Sequence, residues 1–436
     1  MSRHSEREAA VCLRGAAFSL AGCAVLFLAR PALAQDLSLQ SVVKLALSRN
    51  ERSEIADQNV ISAEAAVTKA RAAFLPNISA SAGETWRPQD AHEKTPNTSA
   101  TAALTLSQPL FNATAFPLYA ASKHSYDSAR FNHVDARRQL AFDAARAFFS
   151  VVAQQRVLKA AKSRLDLANA TLDDTQVRAS SGLVSSNDVT RSQIERASAD
   201  QSSINAANSL EAARLNLEYL IAEPTQIEED LSAPTQSLAP ATQSLAGLVN
   251  IAIATRPDLA ALRASAASAS ALSDEPGLRF VPTLGATAQA RAQDQVIIAG
   301  RYYDTSIAIN FNWSIWDGGS RSADSTSRNA ARIASELQLR ALARRVETDV
   351  RVAVSELAAA RNSLVAAQQG EDAARRSEEE TSVLYKQGLA KAIELVNGNS
   401  TKFDAEVAVA AAELNVRQAE LDLRSALGLF PLDGLQ

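Results

Sequence analysis

Four histidines, two cysteines, one methionine and two acidic turns led by glycine are all this chain offers for chemistry. His4, His92, His124 and His133 are scattered, with one in the leader and one in an expected loop. Gly318-Gly319 follows a strand pattern and precedes a helix. It lacks the Gly-x-Gly-x-x-Gly spacing and the Lys-Ser/Thr of a phosphate cradle, so it reads as a bend. Met1 is the single methionine, which leaves no thioether path for copper within the chain. No cofactor, metal or catalytic constellation is recognisable, and the sequence points away from an enzyme. The acids with the clearest placement are Asp188, three residues after Ser185, and Glu394. Both fall in first turns of expected helices, where the dipole favours a carboxylate whatever its further use. The run Glu378-Glu379-Glu380 beside Arg375-Arg376 reads as a solvated helix face.

The elements that hold these turns are written twice, at a constant shift of 206 residues. Phe74-Leu75-Pro76-Asn77-Ile78 returns as Phe280-Val281-Pro282-Thr283-Leu284, and Ser181-Gly182-Leu183-Val184 as Gln387-Gly388-Leu389-Ala390. Leu39, Val42 and Ala46 return as Leu245, Leu248 and Ala252. Anchors held to one offset over more than a hundred residues make each half a structural unit. The units span 35–222 and 244–436, joined by a Pro-, Thr-, Gln- and Ser-rich linker at 223–243.

The first 34 residues read as a secretory signal: Arg3, Arg7 and Arg14, an apolar run from Gly15 to Ala29, and Ala32-Leu33-Ala34 as the cleavage site. Leu20-Ala21-Gly22-Cys23 also spells a lipoprotein signal, in which Cys23 would carry lipid. Cleavage after Ala34 leaves 40 basic against 46 acidic residues and no cysteine, so disulfides are excluded and a nucleic-acid partner is disfavoured. Hydrophobic residues make up 47% of the chain but aromatics only 5%, so alanine carries much of the apolar content and favours helix. Beyond the leader no stretch reaches the ~20 apolar residues of a spanning helix.

Each unit reads as helix, β-hairpin and a long helix pair. The first has a helix at 38–73, strands at 77–87 and 98–110, and helices at 113–180 and 186–222. The second has a helix at 244–273, strands at 283–293 and 302–316, and helices at 320–386 and 392–428. Ile307, Ile309, Phe311, Trp313 and Ile315 alternate with Ser306, Ala308, Asn310, Asn312 and Ser314, the pattern of a strand between lipid and water. Trp86, Tyr302, Tyr303, Trp313 and Trp316 gather at strand ends as an interfacial girdle would. A sandwich core is the other reading of the strands. Leu158, Ala161, Leu165, Ala168 and Leu172 step at coiled-coil spacing, and about 68 helical residues make a rod of roughly 100 Å.

Four strands cannot close a barrel, and the smallest membrane barrels have eight, so spanning strands require several copies. The chain resembles the TolC family of outer-membrane efflux proteins over its whole mature length. The resemblance rests on the duplication, on both helix-to-strand junctions, on Leu106-Ser107-Gln108-Pro109-Leu110-Phe111-Asn112 and Trp313-Ser314-Ile315-Trp316-Asp317-Gly318-Gly319, and on Gly182-Leu183 and Gly388-Leu389. It implies a homotrimer with a twelve-stranded barrel in the outer membrane, continued by an α-helical periplasmic tunnel. A periplasmic adaptor and an inner-membrane pump would be its partners, in efflux or type I secretion. Gly182, Leu183, Val184, Ser185, Gly388, Leu389, Ala390 and Lys391 would be the adaptor-docking tip. Glu394 and Asp188 would form the periplasmic gate, with Asn397 where a second acid often stands, and Ala390 where the arginine partner of Asp188 is expected. The rival is a periplasmic coiled-coil adaptor or spacer outside any membrane.

Overall fold

A computed structural model describes residues 38–86, 98–222, 244–294 and 300–434. The expected signal and linker lie outside the described residues. The first unit contains α1 (Leu39–Arg49), α2 (Glu51–Arg71), β1 (Asn77–Trp86), β2 (Thr98–Phe111), α3 (Ala115–Ser180) and α4 (Ser186–Ile221). The second contains α5 (Leu245–Thr255), α6 (Pro257–Leu278), β3 (Thr283–Gln293), β4 (Tyr303–Asn312), α7 (Ser320–Lys386) and α8 (Ala392–Ala426).

Three expectations need correcting. The helix at 38–73 is two helices, because Asn50 is extended (φ −74°, ψ 132°) and serves both. Its backbone amide closes α1 on the Ala46 carbonyl, and its side-chain oxygen accepts from the Arg52 amide to start α2. The helix at 244–273 breaks in the same way at Arg256, where Pro257 opens α6 in its first turn, whose amides have no acceptor within the helix. The strand at 302–316 stops at Asn312. Beyond it the Ser314 and Ile315 carbonyls accept from the buried Arg321 guanidinium at 2.8 and 3.2 Å, which replaces the ladder.

Each long helix ends in a Schellman turn. Gly182 (φ 73°) and Gly388 (φ 76°) adopt the left-handed conformation, and the amides of Leu183 and Leu389 reach back to the carbonyls of Arg178 and Leu384. The chain then reverses into α4 and α8.

The helices form a layer whose width follows the sheet. Helix α3 packs on α2 and α4 on one side and on α6 and α8 on the other; α7 lies outside α6 and α8. The order α2–α3–α6–α7 therefore repeats the sheet order β1-β2-β3-β4. Midway along α3, Leu140, Phe142, Phe148 and Val151 pack with Val42 and Val43 of α1, Leu217 and Ile221 of α4, and Leu421 of α8. A matching cluster joins Leu248 of α5, Val346 and Val350 of α7, Leu423 of α8 and Leu427 at its C-terminal cap. Each large side chain buried there stabilises the fold by about 1.5–3 kcal/mol. Elsewhere the rods meet through alanines such as Ala161, Ala168, Ala199 and Ala206, which keeps them close and thin. No single described helix is long and apolar enough to cross a membrane; α5 with α6 passes by composition only across a 51° bend.

Candidate functional site

The strand register sorts the sheet into two unlike faces, since directly opposed residues share a face. One row runs Ile78, Leu106, Ala288, Ile307, and the next Ala80, Leu104, Ala290, Thr305. The opposite face carries Asn77, Ser107, Thr287 and Ala308, then Ser79, Thr105, Gln289 and Ser306. Side chains hydrogen-bond across this polar face, with Asn310 donating to Thr287 at 3.0 Å and Gln289 to Thr105 at 3.4 Å. The apolar face has no covering element among the described residues, and Ile307 and Ile309 are 84% and 71% exposed. This removes the sandwich reading. Strands β1 and β4 are free edges.

Large aromatic residues sit at both ends of the sheet. Trp86 closes β1 and Tyr302 and Tyr303 lead into β4 at the far end, all exposed. Trp313 and Trp316 stand at the helix end, where the Trp313 indole donates to the Phe280 carbonyl at 3.0 Å. Behind them Arg321 lies 4.2 Å from the Phe280 ring and bonds Asp317 at 2.9 Å, fixing the passage from β4 into α7.

At the other end of the rods, Leu183 and Leu389 project from the two turns, 74% and 73% exposed. The tips differ in how their second helices begin. Ser185 and Asp188 form a reciprocal capping box: the Asp188 amide donates to the Ser185 hydroxyl at 3.3 Å, and the Asp188 carboxylate accepts from the Ser185 amide at 3.1 Å. Lys391 gives α8 no side-chain cap. Glu394 and Asn397 are exposed, one turn apart on α8, and neither lies near Asp188 by any hydrogen bond or ion pair among the described residues. Val184 and Ala390 are half-buried beside their turns.

A knot above the tips was not legible in the sequence. Tyr385, buried at the end of α7, places its hydroxyl 3.4 Å from that of Thr175 on α3, which lies 3.3 Å from Ser192 on α4. Arg178 stacks 4.6 Å from the Tyr385 ring and pairs with Asp174 at 2.8 Å. Burial pushes the Tyr385 phenol up, and the Asp174 carboxylate adds to it. Glu378 is also a correction: it is buried and accepts from Lys402 at 3.2 Å, so only the rest of its run is solvated.

A sheet that is apolar on one face and polar on the other, carried on rods of about 100 Å, has the build of a membrane-channel component. The model of the family described as outer membrane efflux protein matches residues 42–223 and 248–429, and the chain belongs to that family. It is an outer-membrane channel protein, not an enzyme and not a periplasmic spacer. A search by sequence among curated proteins finds no match. Solved structures of similar fold include the outer membrane protein VceC of Vibrio cholerae, at 17% identity and TM-score 0.76, covering 90% of this chain and 97% of that one. The outer membrane channel CmeC of Campylobacter jejuni is similar at 17% identity and TM-score 0.78, with 89% and 85% covered. The open-state channel MtrE of Neisseria gonorrhoeae shares 20% identity at TM-score 0.77, with 91% and 90% covered.

Proposed function

We propose that three copies of this chain close head to tail into a twelve-stranded barrel in the outer membrane, continued by an α-helical tunnel through the periplasm. One observation carries this reading: the free edges and the free flanks fall on the same sides. Strand β1 continues from α2, and β4 leads into α7, so a single rotation seats both layers of one copy against the next. An open edge in lipid leaves backbone groups unpaired at several kcal/mol each, which only closure removes. Two copies would give eight strands, a barrel whose interior side chains fill. Three is the smallest ring with room for a water path.

The protein in this reading is a passive exit duct. An adaptor protein and an inner-membrane pump supply drive and cargo, in efflux or type I secretion. Ile307, Ile309 and Phe311 face acyl chains, Trp86, Tyr302, Tyr303, Trp313 and Trp316 sit at the two interfaces, and the face with Ser306 and Asn310 lines the lumen. Gly182, Leu183, Val184, Ser185, Gly388, Leu389, Ala390 and Lys391 form the docking tip, small apolar knobs with too little area to aggregate. Glu394 places three carboxylates around the aperture, where their mutual field gathers cations. Asn397 adds no charge one turn away, and Asp188, one oxygen held by its cap, keeps the other for a neighbour. Planar-bilayer recordings of wild type and Glu394→Ala test this. Trimeric channels with weakened cation preference in the variant are expected; a protein that forms no channel refutes the duct, and identical currents remove Glu394 from the aperture.

A further inference from the structure

The repeat makes one seam inside the chain and leaves its twin open. Inside, α3 of the first unit packs on α6 and α8 of the second. At the 206 shift the same joint would set α7 against α2 and α4, and in a single chain those surfaces lie on opposite flanks.

The inner seam has three marks. Arg138, buried on α3, donates to the Ser425 carbonyl at 2.9 Å in the last turn of α8. Leu421 of α8 is fully buried against α3. Ser125 and Ser268 meet hydroxyl to hydroxyl at 3.0 Å, between α3 and α6. Each mark has a counterpart 206 residues away. Arg138 corresponds to Arg344, again an arginine, which is exposed and whose guanidinium makes no hydrogen bond or ion pair among the described residues. Leu421 corresponds to Leu215, again a leucine, but 56% exposed. Ser268 corresponds to Ser62, again a serine and exposed, and Ser125 to the exposed Ala331. Ala261, buried on α6, corresponds to the exposed Ile55. At Arg344, Leu215 and Ser62 the residue type persists while the partner is missing, and the exposed Leu337 and Val352 lie on α7, whose outer flank is open.

We infer that the seam between copies repeats the seam within the chain, with Arg344 of one copy capping the last turn of α4 in the next at the Tyr219 carbonyl. Cationic side chains suit a helix C-terminus because its last carbonyls lack amide partners and carry the negative end of the dipole. Leu215 is buried in the same step, and Ser62 comes to lie against Ala331. The inference rests on the ring proposed above and adds its register and its polar anchor.

The full chain can be tested in detergent by engineered cysteines, since Cys12 and Cys23 both precede the described residues. A hydroxyl-to-hydroxyl contact leaves Cβ atoms close enough for a disulfide, so Ser62→Cys with Ala331→Cys should give covalent dimers and trimers on oxidation. Ser125→Cys with Ser268→Cys should close within one chain and add no mass. Arg344→Ala, a surface change in the single chain, should lose its detergent-resistant trimer at a lower temperature than wild type, with Arg344→Lys retaining it. Native mass of the wild type separates the failures. A monomer refutes the ring and the inference together. A trimer whose Ser62/Ala331 pair stays unlinked, or one that Arg344→Ala leaves as heat-resistant as wild type, overturns the inference alone.

Discussion

Phe148 and Ile309 are both large and apolar, yet one is sealed among four helices and the other stands bare on the sheet. The helical body behaves as water-facing protein does, with its big side chains gathered midway along α3 and its outer faces charged. The sheet does the reverse, exposing its apolar face and joining polar side chains to one another across the other. The difference teaches that the chain is built for two solvents. Alanine handles the first with thin helix contacts, while in the proposed ring the sheet turns its apolar side to lipid and its edges to copies of itself.

The contrast can be broken from either side. Phe148→Ala should cost about 3–5 kcal/mol, the transfer loss plus the cavity left behind, and lower the thermal midpoint of the helical signal. Ile309→Lys places a charge at about mid-strand and should cost about 2–4 kcal/mol in a bilayer. It should reduce the fraction of protein in outer membranes while leaving the helical midpoint in detergent unchanged; a lowered midpoint would mean that the sheet has a protein core after all. Ser185→Ala removes the cap of α4 and should cost about 1 kcal/mol, read as faster amide exchange in residues 186–190. The second tip, uncapped at Lys391, should already exchange faster at the start of α8.

Acid should act on the body through the Arg256–Asp258 pair at the start of α6. Burial pushes the Asp258 carboxyl up, but the Arg256 guanidinium at 2.7 Å and the Leu259 amide outweigh it and hold it below the usual range. A depressed carboxylate contributes stability above its unfolded value and loses it as pH falls through the folded one. Asp258→Asn should therefore flatten the acid side of the stability profile. The smallest stability effect belongs to the tips: Leu183→Glu with Leu389→Glu should shift the midpoint by no more than about 0.5 kcal/mol, as exposed sites do. Efflux by cells carrying that variant should nevertheless fail, and normal efflux would remove the docking role.

Much of this was legible because it is local. The alternation through Ile307, Ile309 and Phe311 announces a two-faced strand, and Gly182 and Gly388 announce turns that only a left-handed residue completes. What escaped depends on side-chain partners that the hydrophobic pattern does not display. Asn50, where the first helix breaks, is anchored by its side-chain nitrogen, which donates to the Leu220 carbonyl 170 residues on. The alternation runs on to Ile315 although the ladder ends at Asn312, because Arg321 takes the carbonyls instead. Glu378 reads as part of a solvated helix face in the sequence, but Lys402 of α8 buries it, and Thr175 of α3 meets Tyr385 from 210 residues away. The roles proposed for Glu394, Asp188 and the exposed leucines depend on the proposed ring, whose seams join residues of different copies.

The central claim is that β4 separates lipid from water. Single cysteines at each position from 306 to 311, in protein reconstituted into vesicles, can carry a fluorophore challenged by a lipid-borne quencher and by a water-soluble one. The account predicts a period of two: positions 307, 309 and 311 quenched from the bilayer, and 306, 308 and 310 from the aqueous lumen. Uniform quenching by the water-soluble reagent, with no response to the lipid-borne one, would contradict it.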